Sequence, residues 1–270
     1  MRLMLLKTTK GESMLSKLSD ADYFGHKAVS QSNLKEILKS PAHYRARLEE
    51  KQVTTPAMIL GSAIHAAILE PEIFDQNYTF IEMDKRTKQF KEFQEANKNK
   101  IILNIDDRNK IEGIRNSCLN HGIAKRFFEK TDSNLIEQAG FWECQEVKCK
   151  GKFDVVNIDA RVCVDLKTTE SANEKDFIKS IINFKYDFQA AFYSIGLEKI
   201  FKEKFDFIFV AVEKTPPYAV NLFELDSDAL WKATDKVNES LLVLKSCLES
   251  NEFPSYPPLI NKITLPKWSI

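Results

Sequence analysis

Two short stretches carry the residues whose types and spacing could do chemistry. "VCVDLKTTE" (162–170) ends an apolar β-like run with Asp165 and Lys167, and "GKFDVV" (151–156) carries Asp154 just before it. An acid and a base two residues apart at a strand end are either a surface ion pair or part of a reaction centre. Alternation along a strand puts Val162, Val164 and Leu166 on one face and Cys163, Asp165 and Lys167 on the other. A hairpin turn centred between Asp159 and Ala160 makes Asp154 the partner of Asp165. Directly opposed carboxylates, with Cβ atoms about 4.5–5.5 Å apart, repel each other. Something positive must lie between them: Lys167, or a divalent cation. Mg²⁺ takes oxygen ligands, commonly one or two carboxylates with substrate phosphates. Asp154 and Asp165 fit it, with the Leu166 carbonyl as a further oxygen. An ammonium beside such a metal can orient a water toward a phosphodiester.

Other residues can join this group, each with a plain structural alternative. Glu137, in "NLIEQAGFW", precedes the first expected strand and offers a third carboxylate, or is a solvated helix-end acid. His65 sits in the small-residue helix "GSAIHAAILEP", where a backbone or a ligand can come close; it is otherwise a packed, hydrogen-bonded histidine. Gln189 and Tyr193 are four apart and share a helix face beside Phe188 and Phe192, to bind a phosphate or to finish a core edge. Lys148, Lys150 and Lys152 alternate on one face of the meander if the strand runs through Gly151. They are either phosphate contacts or a solvated strand face.

The elements that position these groups follow from periodicity and punctuation. Residues 1–28 lack periodicity and read as a mobile or loosely docked arm; 29–270 read as a single domain. Ser32 is expected as an N-cap before the helical spacing of Leu34, Ile37 and Leu38, and "PAMILGSAIHAAILEPEIF" forms a helix stopped near Pro71. Charged helical patterns run through 84–98 and 106–130. Strands are expected at 139–148, 151–157 and 161–168, then a helical region at 174–199. "FDFIFVAVE" and "AVNLFEL" follow as strands, 227–250 as a closing helix, and the proline-punctuated tail lies extended. The order predicts an α/β fold with a central mixed sheet flanked by helices and a helical N-terminal part.

Composition narrows the classes. The 270 residues allow a substantial core, and Lys+Arg balance Asp+Glu at 39 each, unlike a protein that coats nucleic acid non-specifically. Any nucleic-acid surface must be local. Five cysteines with no C-x-x-C pair read as buried thiols of a reducing cytoplasm; Cys144 and Cys149 have no histidine near them to complete a metal set. "MRLMLLK" is too short for a signal peptide and no run reaches the ~18 apolar residues of a span, so a cytoplasmic protein without membrane contact is expected.

In this order along the chain, "SQSNLKEILKSPAHYRA", "LGSAIHAAILEPEIFD", "DKRTKQFKEF", "CKGKFDVV", "VDLKTTESA", "FQAAFYSIGL", "FVAVEKTPPYAVNLFELD" and "LPKW" resemble the PD-(D/E)XK nuclease superfamily. Within it they resemble the RecE-like (exonuclease VIII) phage and prophage exonucleases. The resemblance spans residues 28–270. It implies a Mg²⁺-dependent (or Mn²⁺-dependent), ATP-independent exonuclease that degrades the 5′-ended strand of linear double-stranded DNA and leaves 3′ single strands. It also implies a tetrameric ring and a single-strand annealing partner of the RecT type for recombination. By position it makes Asp154 and Asp165 metal ligands and Lys167 the catalytic lysine. His65 and Glu137 fall near the metals, and Gln189 and Tyr193 on the supporting helix. The proline of the superfamily's name is Phe153 here, and Asp165 stands where many members have Glu. The C-terminal cysteine cluster of iron–sulfur members is missing, so that cofactor is not expected. Two rival readings use the same core: a structure-specific endonuclease, and a protein that binds DNA or a recombination partner without cutting.

Overall fold

Hydroxyl, amide and carboxylate caps, with prolines in first turns, start most of the helices. Ser40 accepts from His43 N ahead of Pro41, Thr55 from Met58 N ahead of Pro56, Asn173 from Asp176 N, and Asp226 from Ala229 N. A computed structural model describes residues 15–50, 53–82 and 86–266. In chain order it holds α1 (Asp20–Gly25), α2 (Gln31–Leu34) running into a 3-10 turn (Lys35–Leu38), α3 (Pro41–Glu49), α4 (Pro56–Leu69), α5 (Pro71–Asn77), β1 (Tyr78–Ile81), α6 (Lys88–Ala96), β2 (Ile101–Asn104), α7 (Ile105–Asn120) and α8 (Ala124–Phe128). Then come β3 (Asn134–Cys144), β4 (Val147–Asn157), β5 (Val162–Thr169), α9 (Glu174–Phe184), α10 (Tyr186–Phe201), β6 (Asp206–Glu213), β7 (Val220–Glu224) and α11 (Ser227–Ser250).

The sheet is mixed, in the order β3-β4-β5-β6-β7. β5 and β6 run parallel across the α9–α10 connection and the other neighbours run antiparallel. Each face buries a separate core. Val155, Val162, Val164, Leu166, Val210 and Val212 pack under α4, α7 and α8. Phe153, Val156, Cys163, Phe207, Phe209 and Ala211 pack under α2, α10 and α11. The fold is thus the expected α/β arrangement, a five-stranded mixed sheet flanked by helices.

Several expectations shift in position. β3 begins at Asn134, so Glu137 lies inside a strand and not before it. The β3–β4 turn is Gln145–Glu146, both at positive φ (50° and 60°), a two-residue turn without the usual Asn or Gly. Gly151, read as a separator, lies within β4, where the rings of Tyr193, Trp142 and Phe153 crowd its Cα. The short parallel pair β1–β2 was not expected.

Where it is described, the arm packs against the sheet. Ser16 pairs with Ala139 on the outer edge of β3, and Tyr23 of α1 is buried. Residues 1–14 lie outside the described residues, as does "KW" of the tail. Among the rest of the tail, Pro254 O accepts from Ala42 N at 3.1 Å and Phe253 stacks on Tyr44. No described helix is long and apolar enough to cross a membrane.

Candidate metal centre

The β4–β5 register is the one the turn predicts: Val155 pairs with Val164, Val156 with Cys163 and Asn157 with Val162. The ladder stops one residue short of Asp154 and Asp165. There the strands part, and the Asp154 carboxylate accepts the Leu166 amide at 2.7 Å.

A matching irregularity crosses to β3. Ile136 pairs with Val155 and Gln138 with Phe153, which leaves Glu137 and Asp154 facing each other with no ladder pairing between them. The alternation slips at that rung in both strands. In β4, Cys149 and Phe153 share a core with Val156, while Val155 faces the other. In β3, Leu135 packs with Trp142's core and Ile136 with the opposite one. Glu137 has φ 53°, a left-handed conformation that an interior strand residue adopts only when its surroundings enforce it. Simple two-residue alternation could not foresee this.

The slip delivers both acids to His65 of α4. One donor atom from each of His65, Glu137 and Asp154 lies within 4.8 Å of the others, and His65 Nδ1 is 3.6 Å from Asp154 Oδ2. One turn earlier on α4, Gly61 borders open space and not another backbone.

Asp165 and Lys167 share a face as expected, but that face lies beneath α10 and not in solvent. Asp165 is 3% exposed. Lys167 Nζ lies 2.6 Å from Asp165 Oδ2 and 4.5 Å from the centre of the Tyr186 ring. Gln189 spans the pair: its Nε2 donates to Asp165 Oδ1 at 2.6 Å and its Oε1 accepts from Lys167 at 3.0 Å. Tyr193, one turn on, is not in this network; its ring packs against Phe153 and Phe207 in the core. Tyr186 was not anticipated, and nothing in its local sequence marks it.

The lysines of β4 do not form an open cationic face. Lys150 is 5% exposed, and its ammonium donates to the carbonyls of Tyr23 (2.7 Å) and His26 (2.8 Å). Lys152 is held between Asp20 (2.8 Å) and Glu137 (2.9 Å). Only Lys148 of the three is exposed. The docked arm is the reason, and it brings carbonyls and a carboxylate that strand alternation cannot reveal.

The charges of the site do not balance internally. Lys167 pairs with Asp165 and Lys152 with Glu137, but Asp154 has no lysine or arginine at ion-pair distance among the described residues. Burial, then repulsion from Asp165, raises the Asp154 carboxyl to about 7; burial, then Asp154, raises Glu137 to about 7. Burial also lowers His65, which favours the neutral, metal-ligating imidazole. Burial alone would lower Lys167, but Asp165 and Asp154 outweigh it and keep the ammonium charged. Two half-buried carboxylates and an imidazole suit a divalent cation: Glu137, Asp154 and His65 would hold it, beside Asp165. The five cysteines are buried; burial raises Cys118 and Cys149 to about 12, and burial with Asp165 and Asp154 nearby raises Cys163.

The fold recurs in a solved structure. A crystal structure from Eubacterium rectale described as "Putative exonuclease" superposes with a TM-score of 0.64 at 17% identity, covering 92% of this chain and 97% of that one. A crystal structure of SSO0001 aligns at 14% identity over 87% of this chain and 91% of that one, with a TM-score of 0.40. No curated protein matches the sequence. Residues 30–264 match the family model described as "PDDEXK-like domain of unknown function (DUF3799)". With nearly the whole chain inside that match and the acids, lysine and glutamine gathered on β3–β5 and α10, the chain belongs to the DUF3799 family of PDDEXK-like domains.

Proposed function

We propose that this protein is a metal-dependent nuclease. The observation that carries the reading is the convergence of Glu137, Asp154 and Asp165 on one spot with Lys167 clamped beside them and Asp154 left without a cationic partner. A structural ion-pair cluster would be charge-matched; this one has a carboxylate to spare. A divalent cation bound there, Mg²⁺ or Mn²⁺, supplies Lewis acidity toward a phosphodiester and the missing positive charge.

The chain's own groups have definable roles. Gln189 and Asp165 fix the Lys167 ammonium from two sides, and Tyr186 lies across its third. A charged ammonium so held can orient a water for attack and offset charge gathering on the phosphoryl oxygens. Lys152 holds the Glu137 carboxylate in the site. Neutral His65 offers a lone pair to metal.

Within this reading, the RecE-like motifs and the exonuclease description of the Eubacterium rectale relative favour digestion of linear duplex DNA. The finer proposal is loss of the 5′-ended strand, in a ring that works with a RecT-type annealing protein. The test is linear duplex labelled at either end, incubated with Mg²⁺ alongside a closed circle of the same sequence. Early release of the 5′ label with the circle intact supports the proposal. Cutting of the circle moves it to an endonuclease, and no cleavage of any nucleic acid overturns it.

A further inference from the structure

At the end of α9 an aromatic ring stands in solvent beside the clamped lysine. Phe184 is 58% exposed. Lys185 follows in the left-handed conformation (φ 60°, ψ 44°) and turns the chain so that Tyr186 begins α10. The two rings meet, with centroids 5.5 Å apart at 31°. Tyr186 leans inward on Phe177 and Phe209 and carries the Lys167 ammonium. A file of rings therefore leads from the core, past Lys167, to one bare face.

The cation next to that face is without an anion. Lys185 is exposed, and its ammonium has no ion pair or hydrogen bond among the described residues. An exposed π face beside an unpaired ammonium complements a nucleotide, which brings a base to stack and a phosphate to pair.

We infer that Phe184 is a nucleobase-stacking subsite beside the Lys167 clamp, and that Lys185 takes the phosphate of the nucleotide held there. The base must be unpaired or at a strand end, since an interior base of a duplex has no free face. The inference rests on the nuclease reading and names its substrate contact. Ile182 extends the apolar patch along α9, so a second copy of this chain is the competing occupant.

Fluorescence anisotropy of a labelled single-stranded oligonucleotide and its abasic copy tests this on the full chain in EDTA, where no cleavage is expected. Phe184→Ala should weaken the base-containing oligonucleotide by roughly 5- to 150-fold, the range for losing one stacked base, and leave the abasic copy nearly unaffected. Phe184→Trp should retain tight binding. Lys185→Gln should flatten the log–log salt dependence by about 0.7, one phosphate of a single strand. Equal losses on both oligonucleotides would overturn the subsite. So would unchanged binding with a change in solution mass, which would assign the ring to a contact between copies. Because binding is read without cleavage, an inactive wild type in Mg²⁺ overturns the nuclease reading alone. An active wild type with indifferent Phe184→Ala overturns only the subsite.

Discussion

The backbone amide of Leu166 donates to Asp154 Oδ2 across 2.7 Å, at the point where β4 and β5 cease to pair. A ladder bond that the diverging strands cannot make is replaced by a side chain. The carboxylate is thereby aimed at His65 before any ligand arrives. Preorganisation of this kind removes the reorganisation that a flexible acid would need on binding.

Asp154→Asn separates the two roles. The amide oxygen still accepts from Leu166, but the charge is gone. Metal-free protein should keep or gain stability, since buried like charge is relieved. The Mg²⁺-dependent rise in Tm, worth about 2.7 kcal/mol at a hundredfold excess over Kd, should vanish. Thermal unfolding with and without Mg²⁺ reads both; a surviving shift would move the ligand set elsewhere.

Metal-free stability should fall as pH rises. Asp154 and Glu137 titrate near 7 when folded, against ordinary values of 3.8 and 4.5, so the folded state binds more protons between those limits. Stability is therefore greatest below about 4 for these two groups and is lost as they ionise toward 7. Mg²⁺ affinity should climb through the same window, because binding must displace those protons. Urea midpoints across pH in EDTA, set against metal titrations, check the opposite slopes. A flat metal-free profile would contradict the burial of the pair.

Lys167→Ala should abolish cleavage of linear duplex while nucleic-acid binding stays close to wild type. Gln189→Ala acts through its neighbours: it frees Asp165 and Lys167, and should lower kcat by roughly 10- to 100-fold with little change in KM. Steady-state kinetics on labelled duplex distinguish this from a binding defect, which would raise KM instead.

Packing beneath the site is tight where α10 crosses β3. A methyl added at Gly196 would stand 2.8 Å from the Trp142 indole, a flat ring locked among Phe153 and Phe192. Gly196→Ala should cost about 1–3 kcal/mol, from overpacking that the indole cannot relieve by rotation. Denaturant unfolding measures it; a neutral result would mean that the helix can lift at that point.

Legibility in the sequence followed the range of the interactions. The β4–β5 register could be read because its turn is local, and with it the approach of Asp154, Asp165 and Lys167. Val162, Val164 and Leu166 alternated as expected because β5 is regular. Gln145–Glu146 gives no turn signal, so the first strand is expected too late in the chain and Glu137 falls before it. The coincident slip at Glu137 and Asp154 is a property of two strands together. Lys150 looked like a phosphate contact because only tertiary docking brings the Tyr23 and His26 carbonyls to it. Phe184 carries no sequence signal because its exposure and its approach to Tyr186 are tertiary.

The docking of α1 changes where the working unit begins. The family match starts at residue 30, yet Asp20 holds the far side of Lys152, and the carbonyls of Tyr23 and His26 hold Lys150. Lys152 in turn restrains Glu137. A leader segment that looks dispensable by family boundary is wired, through one ammonium group, to an acid of the metal centre. Divergence or truncation upstream of the matched region can therefore retune that centre while every residue inside the match stays the same.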